Sequence, residues 1–400
     1  MAQIIKLRAW QQKAIQFFLE NKGQVIWSVP TGSGKTYAAI QVIKNLLEKE
    51  PNLKILIIVP TNVILDMWQG ELMKNDFMFN KIGIYNSNCK EYSKITLTTT
   101  SSAGKINIKI FDFLIIDEVH QAGTDRLLKI LEHPFKYKLG MSATTEREDF
   151  KHWSIYRIFD YKIFEYSIKE ALDDGILNKF EFYDVVLELT PEERAKYDEI
   201  SISIGMMMKT IGSFHSFLAL PNSDPRKQKL AGLINQRKVL VWNNKQKLEV
   251  VAKLVKEYYK SDSKIIIFSE YNVTTNSLYY YLGSEGIKSG VFHSSIKQEE
   301  REETLKRFEL GNLNVILATK VLDQGINIPA IDIGIILAGE KTTRQAIQRL
   351  GRCLRKKEKN SKLFQLYIRD TFEADAAKDR SDFYKPLAET YEEIFIDDGV

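Results

Sequence analysis

Apolar positions in this chain come in short, nearly uninterrupted runs separated by turn residues and by stretches with helical spacing. In the first half the runs are QVIWSVP, ILIIVPT, ITLTTT, FLIIDE and YKLGMSAT. Runs of this length without apolar/polar alternation suit strands covered on both faces, as in a parallel sheet. The second half repeats the scheme with IIIFSE at 265–270, SGVFHS, NVILAT, IGIILAG and LFQLYI. Strands alternating with helices predict an α/β protein with two parallel-sheet domains in tandem.

A different pattern lies between the two halves. In LTPEERAKYDEISISIGMMMKTIGSF, Thr190 is placed as an N-cap, Pro191 as the first helical residue and Glu193 as the partner of a capping box. PNSDP at 221–225 predicts a turn, and a second long helical pattern follows with a break near Trp242. The expected division is therefore 1–185 for the first domain, 190–245 for a helical hairpin and 246–400 for the second domain.

Composition narrows the class only a little. The 400 residues exceed one ordinary core and suit two. At 44% hydrophobic and 27% charged, with no apolar run of about 18 residues, the chain reads as a soluble protein with no membrane partner. Cys89 and Cys353 stand far apart, which excludes a disulfide framework or a cysteine metal cluster and fits a reducing cytoplasm, with the nucleoid as the alternative address. The start, MAQIIKLRAW, lacks the zones of a secretory signal and reads as mature structure. A net charge of +5 is compatible with a polyanionic partner without requiring one.

The chemistry begins at VPTGSGKT (29–36), which follows an apolar run and opens the helical stretch AAIQVIKNLLEKE, the setting of a phosphate-binding loop. Gly32 and Gly34 let backbone N–H groups approach phosphate oxygens, Lys35 reaches the outer phosphates, and the Thr36 hydroxyl is suited to Mg2+; Thr31 and Ser33 complete the loop. Val29 stands where the literal pattern asks for glycine, so this is a shorter variant. In FLIIDEVH, Asp117 and Glu118 follow a strand, the first placed to hold Mg2+ and the second to orient a water; alone, the pair is also an ordinary charged strand end. In QRLGRCLR, Arg352 and Arg355 share a helical face. They are either a solvated basic face or, with a second domain facing the first, arginines that stabilise charge on a transferring phosphoryl group. Together these elements imply the use of ATP with Mg2+.

The ordered set LRAWQ (7–11), VPTGSGKT, VPTNVILDMW, TLTTTSSA, DEVH, SAT (142–144), IFSE, ATKVLDQGINIP and QRLGRCLR resembles superfamily 2 helicases, and within them the XPB-like DNA helicases and translocases. The resemblance covers roughly residues 5–370. It implies two RecA-like domains with a thumb-like helical insertion, and an ATP-driven motor moving 3′-to-5′ on single-stranded or forked DNA, with a nuclease or repair protein as a partner. It assigns Gln11 and Arg8 to the adenine, and His120, Gln348, Ser142 and Thr144 to coupling hydrolysis with strand contact, a purely structural role being the alternative for His120. Hydroxyls and backbone amides at Thr61, Thr99, Thr100, Ser101 and Thr319 are suited to strand phosphates, which predicts sequence-independent binding, the alternative being that Thr-rich apolar runs are simply good strands. Arg147, Glu148 and Asp149 match the family's RED motif near the fork, the alternative being exposed charges that start a helix.

On the hairpin, Arg226, Lys227, Lys229, Arg237 and Lys238 either follow phosphates or form a solvated face. Three departures are visible. Trp10 replaces a tyrosine, Asn327 stands where the family carries an aspartate that would touch ribose, and no domain precedes LRAWQ, so the family's damage-recognition domain is expected to be missing. Competing readings are an RNA-dependent ATPase of the same superfamily and a duplex translocase that does not separate strands. A catalytically dead scaffold is disfavoured because Lys35, Asp117, Glu118, Arg352 and Arg355 are all intact, and a small-molecule kinase leaves the second domain unexplained.

Overall fold

The computed structural model describes residues 6–145, 149–260, 262–269, 271–293, 295–319, 331–337 and 360–396. Among these, residues up to Asn178 form one compact unit and those from Lys179 form another.

The first unit is built on seven parallel strands: β1 (Gln24–Ser28), β2 (Ile55–Val59), β3 (Ile82–Tyr85), β4 (Ile95–Thr99), β5 (Phe113–Asp117), β6 (Tyr137–Ser142) and β7 (Ile163–Glu165). Their order across the sheet is β3-β4-β2-β5-β6-β1-β7. Every residue of β2, β4 and β5 is buried, as uninterrupted apolar runs require. In this register Ser28 pairs with Ser142, and Asp117 pairs with Met141. The loops after β1, β5 and β6 therefore leave the sheet at one edge. All five strands expected from the sequence are present, together with β3 and β7 at the two margins.

The second unit has the same plan: β8 (Phe180–Leu187), β9 (Ile265–Phe268), β10 (Ser289–Phe292), β11 (Val315–Ala318), β12 (Ile333–Ile336), β13 (Ser361–Ile368) and β14 (Thr390–Phe395). Their order is β10-β11-β9-β12-β13-β8-β14, again all parallel. One boundary moves. Residues 180–187 do not close the first domain, because β8 pairs along its whole length with β13, Phe180 opposite Ser361 and Leu187 opposite Ile368.

The hairpin is consequently an insertion after the first strand of the second unit. Helix Pro191–Ile211 starts as expected: the Thr190 side chain accepts from Glu193 N while the Glu193 side chain accepts from Thr190 N. Helix Phe214–Ala219 and helix Pro225–Trp242 complete it, and helix Lys245–Tyr258 begins after the expected break. Tyr197, Val241 and Trp242 at its base join the core of the second sheet. Ile200, Ile204, Phe217 and Leu230 make a smaller cluster of their own farther out.

No helix among the described residues is long and apolar enough to cross a membrane.

One polar contact ties down the second core. Lys247 is fully buried, and its Nζ donates to both carboxylate oxygens of Glu373 at 2.7 Å. Glu373 also accepts from Ile368 N at the end of β13. Burial pushes the Lys247 pKa down and the carboxylate opposes that shift. Removing one partner strands the other charge in the core, whereas replacing both with apolar groups does not. Glu373→Ala is expected to lower unfolding free energy by about 3–5 kcal/mol, and Lys247→Met combined with Glu373→Leu to recover most of it. Denaturant titration of the three proteins measures this.

Candidate nucleotide and nucleic-acid site

The phosphate loop runs from β1 into helix Lys35–Lys49. Gly32 (φ 85°) and Gly34 (φ 95°) both adopt left-handed backbone, which L side chains disfavour. Gly34 is the N-cap, and no acidic residue occupies the helix's first turn. The backbone N–H groups of the first turn and the positive end of the helix dipole make this a terminus suited to anions. Lys35 Nζ lies in the loop, donating to Val29 O at 2.7 Å. Ser33 is buried and its Oγ has no hydrogen-bond partner among the described residues. Thr31 and Thr36 are half-buried.

The LRAWQ segment grips this loop. Arg8 Nη1 donates to Ser33 O (2.8 Å), and Gln11 Nε2 donates to Gly34 O (3.1 Å). Gln11 Oε1 in turn accepts from Arg8 N (2.9 Å). The side chains expected at a base thus engage the loop carbonyls, and both amide atoms of Gln11 are occupied. Trp10 is buried and stacks on Tyr166, ring centroids 5.3 Å apart and planes inclined by 16°. The larger ring is accommodated by that stack.

Asp117 closes β5 in a buried position. Its Oδ2 accepts from the indole N–H of Trp68 at 2.9 Å and its Oδ1 from Glu118 N at 3.0 Å. Burial, reinforced by the Glu118 charge, raises its pKa to about 6; the Trp68 hydrogen bond and the Lys35 charge pull the other way. Trp68 closes the segment VPTNVILDMW, where an indole among apolar residues reads as core, so its contact with the acid was not legible in the sequence.

Glu118 has φ 54° and ψ 52°, an uncommon conformation for a residue with a side chain and one that concentrates at functional sites. It meets two of the residues expected to couple hydrolysis to strand contact. Ser142 Oγ lies 2.8 Å from His120 Nδ1 and 3.3 Å from Glu118 Oε2, and His120 Nδ1 is also 3.3 Å from Glu118 Oε2. Ser142 Oγ further accepts from Thr144 N and faces Thr144 O. A hydroxyl carries one hydrogen, so Ser142 can donate to Glu118 or to Thr144 O but not to both. Thr144 Oγ1 is buried without a hydrogen-bond partner among the described residues.

At the neighbouring strand ends, Thr61 caps helix Asn62–Lys74 by accepting from Ile64 N (3.4 Å). Thr100 Oγ1 donates to Pro60 O (3.3 Å), and Thr99 and Ser101 share a 2.9 Å hydroxyl contact. The pairing of Val59 with Thr99 brings these residues together. Arg126, not singled out in the sequence, lies exposed against Gly104, where an added Cβ would sit 1.7 Å from its Nε. Thr319 is buried beyond β11 in the other unit. Asp149 Oδ1 accepts from Lys151 N.

Arg147, Glu148, Asn327, Gln348, Arg352 and Arg355 lie outside the described residues.

Most hairpin cations are held by the fold itself. Arg226 pairs with Asp224 (2.7 Å), Lys227 donates to the carbonyls of Leu218 and Leu220, Arg237 lies over the rings of Tyr197 and Phe372, and Lys238 lies over Trp242. Lys229 is exposed. His293 is buried against Asn276 and Ser295 N, and no group of three potential metal ligands occurs among the described residues.

Comparison with known proteins agrees with this arrangement. Residues 4–147 match the family model of the type III restriction enzyme res subunit, and residues 246–357 match that of the helicase conserved C-terminal domain. A DNA 3′-5′ translocase XPB2 of Sulfurisphaera tokodaii is 29% identical over 92% of this chain and 82% of its own length. A DNA 3′-5′ helicase Rad25, so described provisionally, of Halobacterium salinarum is 25% identical over 94% of this chain, which spans only 56% of that relative. Among solved structures, the Pyrococcus furiosus Hef helicase domain superposes with a TM-score of 0.62 at 16% identity, covering 93% of this chain and 97% of that one. Saccharomyces cerevisiae Dbp5 bound to RNA and ADP-BeF3 gives 0.64 at 17%, covering 98% and 90%. Two family models matched in tandem, on two parallel sheets that carry the ordered motifs, make this chain similar to helicases in both halves, and its similarity to the XPB-like DNA helicases and translocases extends over nearly its whole length.

Proposed function

We propose that the chain is an ATP-driven motor that moves 3′-to-5′ along DNA and separates its strands. The observation that supports this best is the meeting of the phosphate loop, Asp117 and the Glu118–Ser142–His120 contacts at one edge of the first sheet. The donor set suits a hard divalent cation. Asp117 is a buried carboxylate whose raised pKa reflects an undercompensated charge, and Thr36 supplies a hydroxyl in the first helical turn after the loop. Mg2+, when bound, neutralises charge on the outer phosphates. The backbone of Gly32 and Gly34 and the Lys35 ammonium hold the phosphates, while Arg8 and Gln11 fix the loop that presents those groups. Glu118 aligns the attacking water and takes its proton.

Ser142 transmits the outcome. While Glu118 is ionised it competes with Thr144 O for the single hydroxyl hydrogen, and its protonation releases that hydrogen to Thr144. Thr61, Thr100, Ser101 and Arg126 then hold strand phosphates without reading bases. On motif alone we assign Arg147, Glu148 and Asp149 to the fork, Thr319 to the strand, and Gln348, Arg352 and Arg355 to the phosphoryl group.

ATP turnover with single-stranded DNA, duplex DNA and RNA as stimulants tests the whole reading. DNA is expected to stimulate, and Glu118→Gln to lower the stimulated rate by at least about 10²-fold; stimulation by RNA alone would overturn the DNA assignment. A second expectation concerns pH at subsaturating Mg2+. Asp117 must be ionised to bind the cation, so turnover falls as pH drops through about 6. Trp68→Phe removes a donor that favours the ionised form and should move that fall to higher pH; an unchanged profile would detach Trp68 from the site. Ser142→Ala, finally, should preserve most DNA-stimulated hydrolysis while slowing unwinding, and a parallel loss of both would remove Ser142 from coupling.

A further inference from the structure

Directly after the fork-motif position the chain puts large aromatic rings in water. Phe150 is 71% exposed, Trp153 56% and Tyr161 57%. These are not isolated surface rings. Phe150 lies 6.2 Å from His152, His152 5.2 Å from Trp153, and Trp153 6.4 Å from Tyr161, by ring centroids, so they form one continuous surface. Its floor is His152 and Tyr156, both buried. The core beneath is already filled by Ile155, Tyr156 and Phe159, so the outer three rings are not needed for packing.

The backbone supports this display at a cost. Phe150 has φ 56°, and Asp160 and Tyr161 have φ 50° and 58° in succession. Bulky residues in the left-handed region are uncommon, and Phe150 and Tyr161, which both adopt it, bracket helix His152–Ile158, the second within the turn that closes the helix through Tyr161 N donating to Tyr156 O. Exposed cations Lys151 and Arg157 flank the rings. The floor is also anchored to the nucleotide edge, since the Tyr156 hydroxyl is 2.6 Å from Thr145 Oγ1, one residue beyond the Ser142–Thr144 contacts.

We propose that Phe150, Trp153 and Tyr161 form a stacking platform for unpaired bases of the DNA strand. Exposed aromatic rings, with the exposed cations Lys151 and Arg157 close to them in the chain, match a base joined to a phosphate, which every nucleotide offers whatever its sequence. An aliphatic peptide would call for aliphatic counterparts, and every exposed apolar side chain on this surface is aromatic. The inference rests on the DNA-motor reading and assigns that motor a base-contacting surface distinct from the hydroxyl cluster at Thr61, Thr100 and Ser101.

The test uses the full chain with a forked duplex carrying 2-aminopurine at its first unpaired positions and a blunt duplex of equal length. Phe150→Ala and Trp153→Ala are each expected to weaken forked-DNA binding about tenfold, to leave blunt-duplex binding within about twofold, and to abolish the change in aminopurine emission seen with wild type. Trp153→Phe should keep the signal, whereas Trp153→Leu, apolar but without a ring, should lose it. Because the Phe and Leu variants differ in the ring and both remain large and apolar, their comparison holds even if an alanine variant unfolds. Retained binding and signal in Trp153→Leu would overturn the proposal, leaving an apolar face for a protein, and so would equal losses on fork and blunt duplex. If wild type shows no DNA-stimulated ATP turnover, the motor reading itself fails; if wild type is stimulated while the variants bind forks normally, only the platform falls.

Discussion

Parallel pairing governs this molecule. When every strand of a sheet runs the same way, every strand also ends on the same side, and whatever follows those ends is gathered along one edge. In the first sheet the ends of β1, β5 and β6 supply the phosphate loop, the acidic pair and Ser142, residues far apart in sequence that become neighbours through the pairings of Ser28 with Ser142 and Asp117 with Met141. The hydroxyls beyond β2 and β4 join the same edge through the pairing of Val59 with Thr99. The residues proposed for phosphate chemistry and those proposed for strand contact thus share one architectural origin.

That edge carries tension. Asp117 is an acid buried deeply enough to resist ionisation, and Glu118 beside it occupies a backbone conformation that few residues with side chains adopt. Both costs are met by neighbours, Trp68 donating to the first and the Ser142–His120 contacts facing the second. The arrangement fits a site that awaits a cation and a phosphate more closely than one optimised for its own stability. The grip of Arg8 and Gln11 on the loop carbonyls belongs to the same economy of preorganisation, because a loop already shaped loses less freedom when a nucleotide arrives.

Much of this was legible in the sequence, for identifiable reasons. Strands buried on both faces leave uninterrupted apolar runs, so β2, β5, β9, β11 and β12 stand out, and the Thr190–Glu193 capping box announces its helix. What escaped was decided by distant partners. β3, β7 and β14 lie at or beside sheet margins with part of their surface in solvent, and so lack a buried run. FEFYDVVL reads as the tail of the first domain until its pairing with residues 361–368 is seen. Trp68 and the hairpin arginines and lysines look generic in sequence; an acceptor 49 residues away gives the first its role, and aromatic rings, carbonyls and one carboxylate occupy most of the others.

The position of β8 also bears on how the chain is made. The strands of the first sheet are all synthesised by Glu165, so that sheet can assemble while translation continues. β8 emerges next, but both of its neighbours, β13 and β14, come from residues 361–395. Between those events the ribosome releases the helical hairpin, whose local contacts form quickly. While residues 243–360 are being made, the nascent protein therefore has a finished first sheet, a folded hairpin and, joining them, an apolar strand with both edges unpaired, the interval in which aggregation is most to be feared.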